Sequence, residues 1–190
     1  MSARRPASST APGRVPALVL AALALAGAPA AARANPLETA IKATFLYKFA
    51  AFVDWPDRAF PSPNSPVTIC VVGKDPLGPT LDRAVNGQRL GARPITVRRV
   101  ARLDAQSGCQ ILYAASPKDS ADALKAAHGA PILTVTDAMP DGVDSSGGII
   151  QFVVRENHVR FYIDEAQAQG SGLSINAKLL SLAVSVKGRS

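Results

Sequence analysis

The chain has 190 residues, a formal net charge of +7, and only two cysteines and two histidines. Such a length suits one domain with processing sequence and leaves little room for several domains. Residues 1–34 hold four arginines and no acid, so the +7 falls to +3 for residues 35–190, a charge that makes no case for a nucleic-acid partner.

The first 34 residues read as a signal peptide. Arg4, Arg5 and Arg14 form a positive leader, Val15 to Ala28 is a short apolar run, and Ala32-Arg33-Ala34 places small residues where a signal peptidase reads them. Ala28-Pro29-Ala30 is a second possible cleavage point. The run is shorter than the roughly 20 residues a membrane span requires, which favours export over anchoring. A mature domain over 35–190 in the periplasm is therefore expected.

Asn35 to Pro56 opens that domain. Asn35 is a good N-cap, Pro36 fits the first helical position, and Glu38 sits three residues after the cap. Leu37, Ile41, Phe45, Phe49 and Phe52 recur at helical spacing, and Trp55 before Pro56 should end the helix near Asp54. A helix this apolar requires a sheet or a partner to cover it.

A Pro-rich connector, Phe60 to Pro66, leads to a buried strand at Val67–Gly73. A helix at Leu77–Val85, a half-exposed strand at Ile95–Val100 and another strand at Cys109–Ala115 follow. Ser116 and Pro117 start a helix that ends at Gly129, and Pro131–Thr136 is a further buried strand. After a loop over 137–148, Ile149–Val154 and Val159–Ile163 form a hairpin, with Asn157 suited to a left-handed turn position. Glu165 to Gly172 reads as polar, Gly-broken sequence. Leu173 to Val186 reads as a closing helix with Ile175, Leu179, Leu182 and Val186 on one stripe. The alternation predicts a single three-layer α/β domain: a mostly parallel sheet, helices on both faces, and a C-terminal antiparallel hairpin.

Cys70 and Cys109 are the only cysteines, and in an exported chain a disulfide is the default, with two buried thiols as the alternative. If the first three long strands order 2-1-3, the two cysteines lie on neighbouring strands.

No catalytic constellation emerges. His128 ends a helix and His158 lies in the hairpin turn, both surface readings; no His, Cys or carboxylate spacing suits a metal, and no residue is assigned to a cofactor. Gly73 to Gly78 follows a strand and opens a helix, the context for an anion site, yet Pro79 and Thr80 stand where a phosphate loop has Lys and Ser/Thr. Arg98, Arg99 and Arg102 read as a solvated edge. The Phe52, Trp55 and Phe60 cluster reads either as core or as an aromatic patch that docks a partner.

Seven stretches in order, IKATFLYKFAAFVDWP, ICVVGKDPLG, LGARPITVRRV, CQILYAA, ILTVTD, GGIIQFVVRENHVRFYID and LSINAKLLSLA, resemble the YfiR-like family of periplasmic regulators. The resemblance spans essentially the whole mature chain. It implies a non-enzymatic protein that represses a membrane-bound diguanylate cyclase through its periplasmic portion. An outer-membrane lipoprotein can sequester the repressor, and cyclic-di-GMP and biofilm are the output. It also implies an α/β fold, disulfides and a capacity to dimerise. A second cysteine pair known in the family is missing, with Asp144 and Gln151 standing at those places, so redox control through that pair is not expected. The expected partner is an inner-membrane signalling protein, a diguanylate cyclase or histidine kinase. Phe52, Trp55, Arg160 and Lys178 are the candidate contact residues, because they lie in matched stretches and could reach the surface. The rival readings are a periplasmic small-molecule sensor, with ligand near Gly73–Gly78 and Asp137, and, more remotely, a hydrolase.

N-terminal sequencing of the exported protein should find Asn35 first. A start at Ala31 would assign the cleavage to the earlier site, and a chain retaining residues 1–30 would contradict export.

Overall fold

The computed structural model describes residues 35–104, 107–138 and 147–188. The expected signal peptide and Asp144 lie outside the described residues. Helix α1, Pro36–Phe49, begins as its sequence requires: Asn35 Oδ1 accepts from the Leu37 N–H at 3.0 Å, and Glu38 lies in the positive first turn. It ends earlier than the Trp55-Pro56 signal suggests. Ala50–Phe52 tighten into a 3₁₀ turn, and Val53–Asp54 form strand β1. The chain turns there because β1 has a partner distant in sequence, pairing antiparallel with β9, Ser174–Ile175.

The main sheet is built from β2 (Val67–Val72), β3 (Arg89–Leu90), β4 (Arg93–Val100), β5 (Ile111–Ala114), β6 (Leu133–Asp137), β7 (Ile150–Arg155), β8 (His158–Asp164) and β10 (Ser185–Lys187). Its order is β10-β8-β7-β6-β5-β2-β4-β3. The run β4-β2-β5-β6-β7 is parallel, as is β8 with β10, whereas β7–β8 and β3–β4 are antiparallel hairpins. The β7–β8 turn uses Glu156 (φ 50°) and Asn157 (φ 60°), the positive angles of a tight two-residue hairpin. The α/β arrangement with a mostly parallel sheet and C-terminal hairpin is thus what the chain adopts.

The two sheet faces carry separate cores. Ile69, Val71, Ile111, Tyr113, Val135, Ile150 and Phe152 share one core with α1 and with α2 (Pro79–Val85). Cys70, Val72 and Leu112 point the other way and meet Ala123 and Ala127 of α3, Pro117–Ala127. Ser116 caps α3 by accepting from the Asp119 N–H. Gln110 joins the start of β5 to its surroundings: its Oε1 accepts from the Thr68 N–H at 2.8 Å and its Nε2 donates to the Ala59 carbonyl at 2.7 Å.

Two segments depart from the sequence reading. Glu165–Gly170, expected to be irregular, forms helix α4, because Asp164 accepts from the Gln167 N–H at 2.9 Å and supplies a cap ahead of good helix formers. The closing helix over Leu173–Val186 does not form. Only Ala177–Leu180, α5, is helical, started by Asn176 and followed at once by Ser181, whose hydroxyl donates to the Lys178 carbonyl. Ile175 is drawn into β9 and Val186 into β10, where they pair with Val53 and Ile163, and Leu182 stays 55% exposed. Cross-strand pairing at both ends overrides the 3.6-residue periodicity.

Cys109 lies just ahead of β5, and its Cα is 5.7 Å from that of Cys70 on the neighbouring β2, joined to it through a disulfide. The 2-1-3 order of the first long strands, β4-β2-β5, is what brings the two together. The bridge closes a loop across a sequence separation of 39. Alkylation of the unfolded, unreduced protein should therefore add no mass, and Cys70→Ser with Cys109→Ser should lower unfolding stability by up to about 4 kcal/mol. A doubly alkylated chain would contradict the bridge.

Candidate partner-binding surface

In doubly wound sheets, small ligands bind at the carboxyl ends of parallel strands, where the strand order reverses. Here the reversal falls between β2 and β5, and the chain fills it with its own carboxylates. Gly73, at φ 71°, lies so close to Asp119 that a Cβ there would sit 2.1 Å from the Asp119 Cγ. Asp119 accepts from the Lys74 N–H at 3.2 Å and from the Ser116 hydroxyl at 2.6 Å, and these bonds hold its carboxyl below the ordinary range. Asp75 Oδ1 takes the N–H groups of Leu77 and Gly78, each at 2.9 Å. Arg99 closes the turn from outside, binding Asp75, Asp82 and the Gly78 carbonyl. It pulls the Asp82 carboxyl down, chiefly through that hydrogen bond. The backbone N–H groups of Lys74, Leu77 and Gly78 in this turn are thus engaged internally.

Asp137, at the end of β6, is also engaged, beneath α1. Lys42 is buried on the inner face of α1, and its Nζ lies 2.7 Å from Glu38 Oε1 and 3.2 Å from Asp137 Oδ1. The Tyr113 hydroxyl donates to Asp137 Oδ2 at 3.0 Å. Oδ1 meets the ammonium as an ion pair with no hydrogen-bond partner of its own. Burial pushes the Asp137 carboxyl above the ordinary range, against the opposing pull of Lys42 and Tyr113. Burial, with the Asp137 charge beside it, raises the Tyr113 phenol so that it stays protonated as donor.

This clamp fixes a helix with two different faces. Ala43, Leu46 and Phe49 are buried. Phe49 stacks on Phe152 with centroids 5.8 Å apart and meets Phe161 edge-on at 5.4 Å. Toward the start of the helix Leu37 is 64% exposed and Ile41 is partly covered, whereas Phe45, also partly covered, sets its ring 6.2 Å from that of Phe152 and edge-on to Phe161 at 5.6 Å. Ala40, Ile41, Thr44, Phe45 and Lys48 line an open depression of about 330 Å³ on this side. The helical spacing of Leu37, Ile41, Phe45 and Phe49 marks one apolar face requiring a sheet or a partner; the sheet takes Phe45 and Phe49 through Phe161 and leaves Leu37 exposed.

The four residues singled out from sequence do not form one site. Phe52 is half-buried against the core, and its carbonyl accepts from the Asn176 N–H at 2.9 Å. That bond places it near Lys178, whose N–H is capped by Asn176 and whose side chain is exposed. Trp55 is half-buried in an edge-on contact with Phe60 at 6.4 Å. The Arg93 guanidinium covers Phe60 at 3.7 Å and donates to the Ser62 and Ser65 carbonyls, so this corner fastens the Pro-rich connector. Arg160 is exposed on β8, alternating with the buried Val159 and Phe161, and therefore lies on the sheet face away from α1.

Among the described residues, no group of three or more His, Cys, Asp and Glu side chains is placed to hold a metal ion. None of the described helices is long and apolar enough to cross a membrane.

The domain is a mixed α/β fold whose strand-end crevice is occupied by its own carboxylates and whose first helix leaves Leu37 exposed. Residues 39–184 match the YfiR/HmsC-like family, and the chain belongs to it. That family comprises periplasmic regulators linked to cyclic-di-GMP signalling. No curated protein matches the chain.

Because Asp137 binds its proton more tightly in the folded state, its stabilising contribution is greatest below the unfolded carboxylate pKa and declines as pH rises through the folded value. The stability of the wild type relative to Asp137→Asn, measured by urea unfolding, should therefore fall as pH is raised from about 4 towards neutrality. A relative stability that grows with pH would mean that attraction to Lys42 outweighs the burial of Asp137.

Proposed function

We propose that this protein is exported and represses a membrane-bound signalling protein, a diguanylate cyclase or a histidine kinase, by binding its periplasmic portion. In this reading the contact restrains cyclic-di-GMP production and biofilm formation. An outer-membrane lipoprotein or a second copy of the chain would compete for the repressor. The observation that carries the reading is membership of the YfiR/HmsC-like family across residues 39–184.

The outer face of α1 supports a location for the contact. Leu37 and Ile41 present apolar surface on a helix already fixed by the Lys42 clamp and the ring contacts of Phe45 and Phe49, so little ordering remains to be done on binding. Lys48 at its end can meet a carboxylate at the rim. Phe52, Trp55 and Lys178 continue from the end of α1 as secondary contacts, whereas Arg160 requires a second contact across the sheet.

Titrating the mature protein onto a reconstituted membrane-bound diguanylate cyclase or histidine kinase of the same organism should inhibit the enzyme saturably. Ile41→Glu should weaken inhibition at least about tenfold, roughly 1.4 kcal/mol of binding, while the circular dichroism spectrum is retained. Unchanged enzyme activity at saturating repressor would overturn the proposal. Retained inhibition by Ile41→Glu would move the contact off α1.

A further inference from the structure

The large apolar side chains exposed among the described residues are Leu37, Val154, Leu182 and Val184. Three of them stand on the side of the sheet that carries α1. Leu37 belongs to α1 itself. Val154 follows Phe152 by two residues along β7, so it leaves the same face that Phe152 turns to Phe49. Val184 precedes Val186 by two, and Val186 packs into the core shared with α1. The Val184 N–H donates to the Phe161 carbonyl at 2.9 Å and so continues the pairing of β10 with β8. Exposed apolar surface gathered on one side of a domain points to an interaction surface.

α1 gives that surface a shape. Side chains four apart along a helix form rows, and a ridge of another helix packs into the groove between them. Leu37, Ile41 and Phe45 form one row. Ala40, Thr44 and Lys48 form the next, and its first two members are small. The depression of about 330 Å³ lies along these two rows. The Thr44 hydroxyl donates to the Ala40 carbonyl at 2.8 Å, so its donor is spent within α1. The backbone groups of α1 are spent in its own helix, and an extended strand would find no ladder there. The element that complements such a groove is a second helix.

Lys48 decides the character of that helix. It is exposed in the last turn of α1, and it forms no ion pair with a described residue. Glu38, the one carboxylate of α1, is held by Lys42 at 2.7 Å. The α1 of a second copy laid on this one would therefore bring no free carboxylate to Lys48. We infer that the groove of α1 takes an amphipathic α-helix of the regulated protein, apolar on the face it presents and carrying Asp or Glu where it passes Lys48. The inference rests on the reading that α1 meets that protein, and it adds what the partner presents there. The apolar ridge in the groove supplies the affinity, and the pair at the rim sets the orientation of docking.

Two stapled helical peptides of about five turns serve as probes. Both carry leucine along one face; one has glutamate on its flanks and the other lysine. Binding of each to the mature protein is followed by fluorescence anisotropy. The glutamate peptide should bind with a Kd below about 100 µM and at least about threefold more tightly than the lysine peptide. Ala40→Leu, which fills the low row with another good helix former, should weaken that binding at least about tenfold. Lys48→Glu should reverse the preference between the two peptides. Absence of binding up to about 1 mM, equal affinity for both peptides, or equal binding to the wild type and Ala40→Leu would overturn the inference. So would a dimer of the mature protein, seen by sedimentation, that Ala40→Leu dissociates, because it would give the groove to a second copy. No enzyme is present in these assays, so failure of the peptides to bind is distinguishable from failure of repression.

Discussion

The structure depends on how one amphipathic problem at α1 is solved. The helix must lie on the sheet through its aromatic residues, yet it carries a lysine on the buried side. Lys42 is accommodated because Glu38, one turn earlier, and Asp137, at the end of β6, meet its ammonium, while Tyr113 holds the far oxygen of Asp137. A buried charge stripped of these partners would cost several kcal/mol. The ion pair therefore fixes the rotation of α1 about its axis, where apolar contacts alone would tolerate sliding. With the rotation set, Phe49 meets Phe152 and Phe161, and Leu37 and Ile41 are left facing outward. The apolar surface left at Leu37 and Ile41 follows from that rotation.

A second consequence concerns the strand ends. In an α/β sheet the backbone N–H groups after a parallel strand attract anions, and this chain meets them with Asp119 and Asp75. The same carboxylates that tie α2 and α3 to β2 and β4 thereby take the usual ligand position.

Much of this was legible in the sequence, because local and long-range preferences agree there. Asn35-Pro36, Ser116-Pro117 and Asn157 act through their own backbone neighbourhood, and each stands where its chemistry indicated. The β2 and β6 strands are apolar runs too short to be helices, and both are central. The disulfide follows once β2 and β5 are neighbours. The misreadings share a different cause. Val53–Asp54 and Ser174–Ile175 are strands only because they find each other across more than a hundred residues, and Val186 is one only because β8 offers an edge. Nothing in the periodicity of Leu173 to Val186 reveals those partners. The site was less legible than the fold: Phe52, Trp55, Arg160 and Lys178 were chosen for their place in matched stretches, and exposure separates Arg160 and Lys178 from the half-buried Phe52 and Trp55.

The central claim is that the outer face of α1 meets a membrane signalling protein. Site-specific photo-crosslinking with benzoylphenylalanine at Leu37, set against the same probe at Gln88 on the far edge of the sheet, tests it most directly. The account predicts a crosslink from position 37 to the periplasmic portion of the inhibited cyclase or kinase and none from position 88. Crosslinks of equal yield from both positions, or none from position 37 under conditions in which the protein inhibits the enzyme, would contradict it.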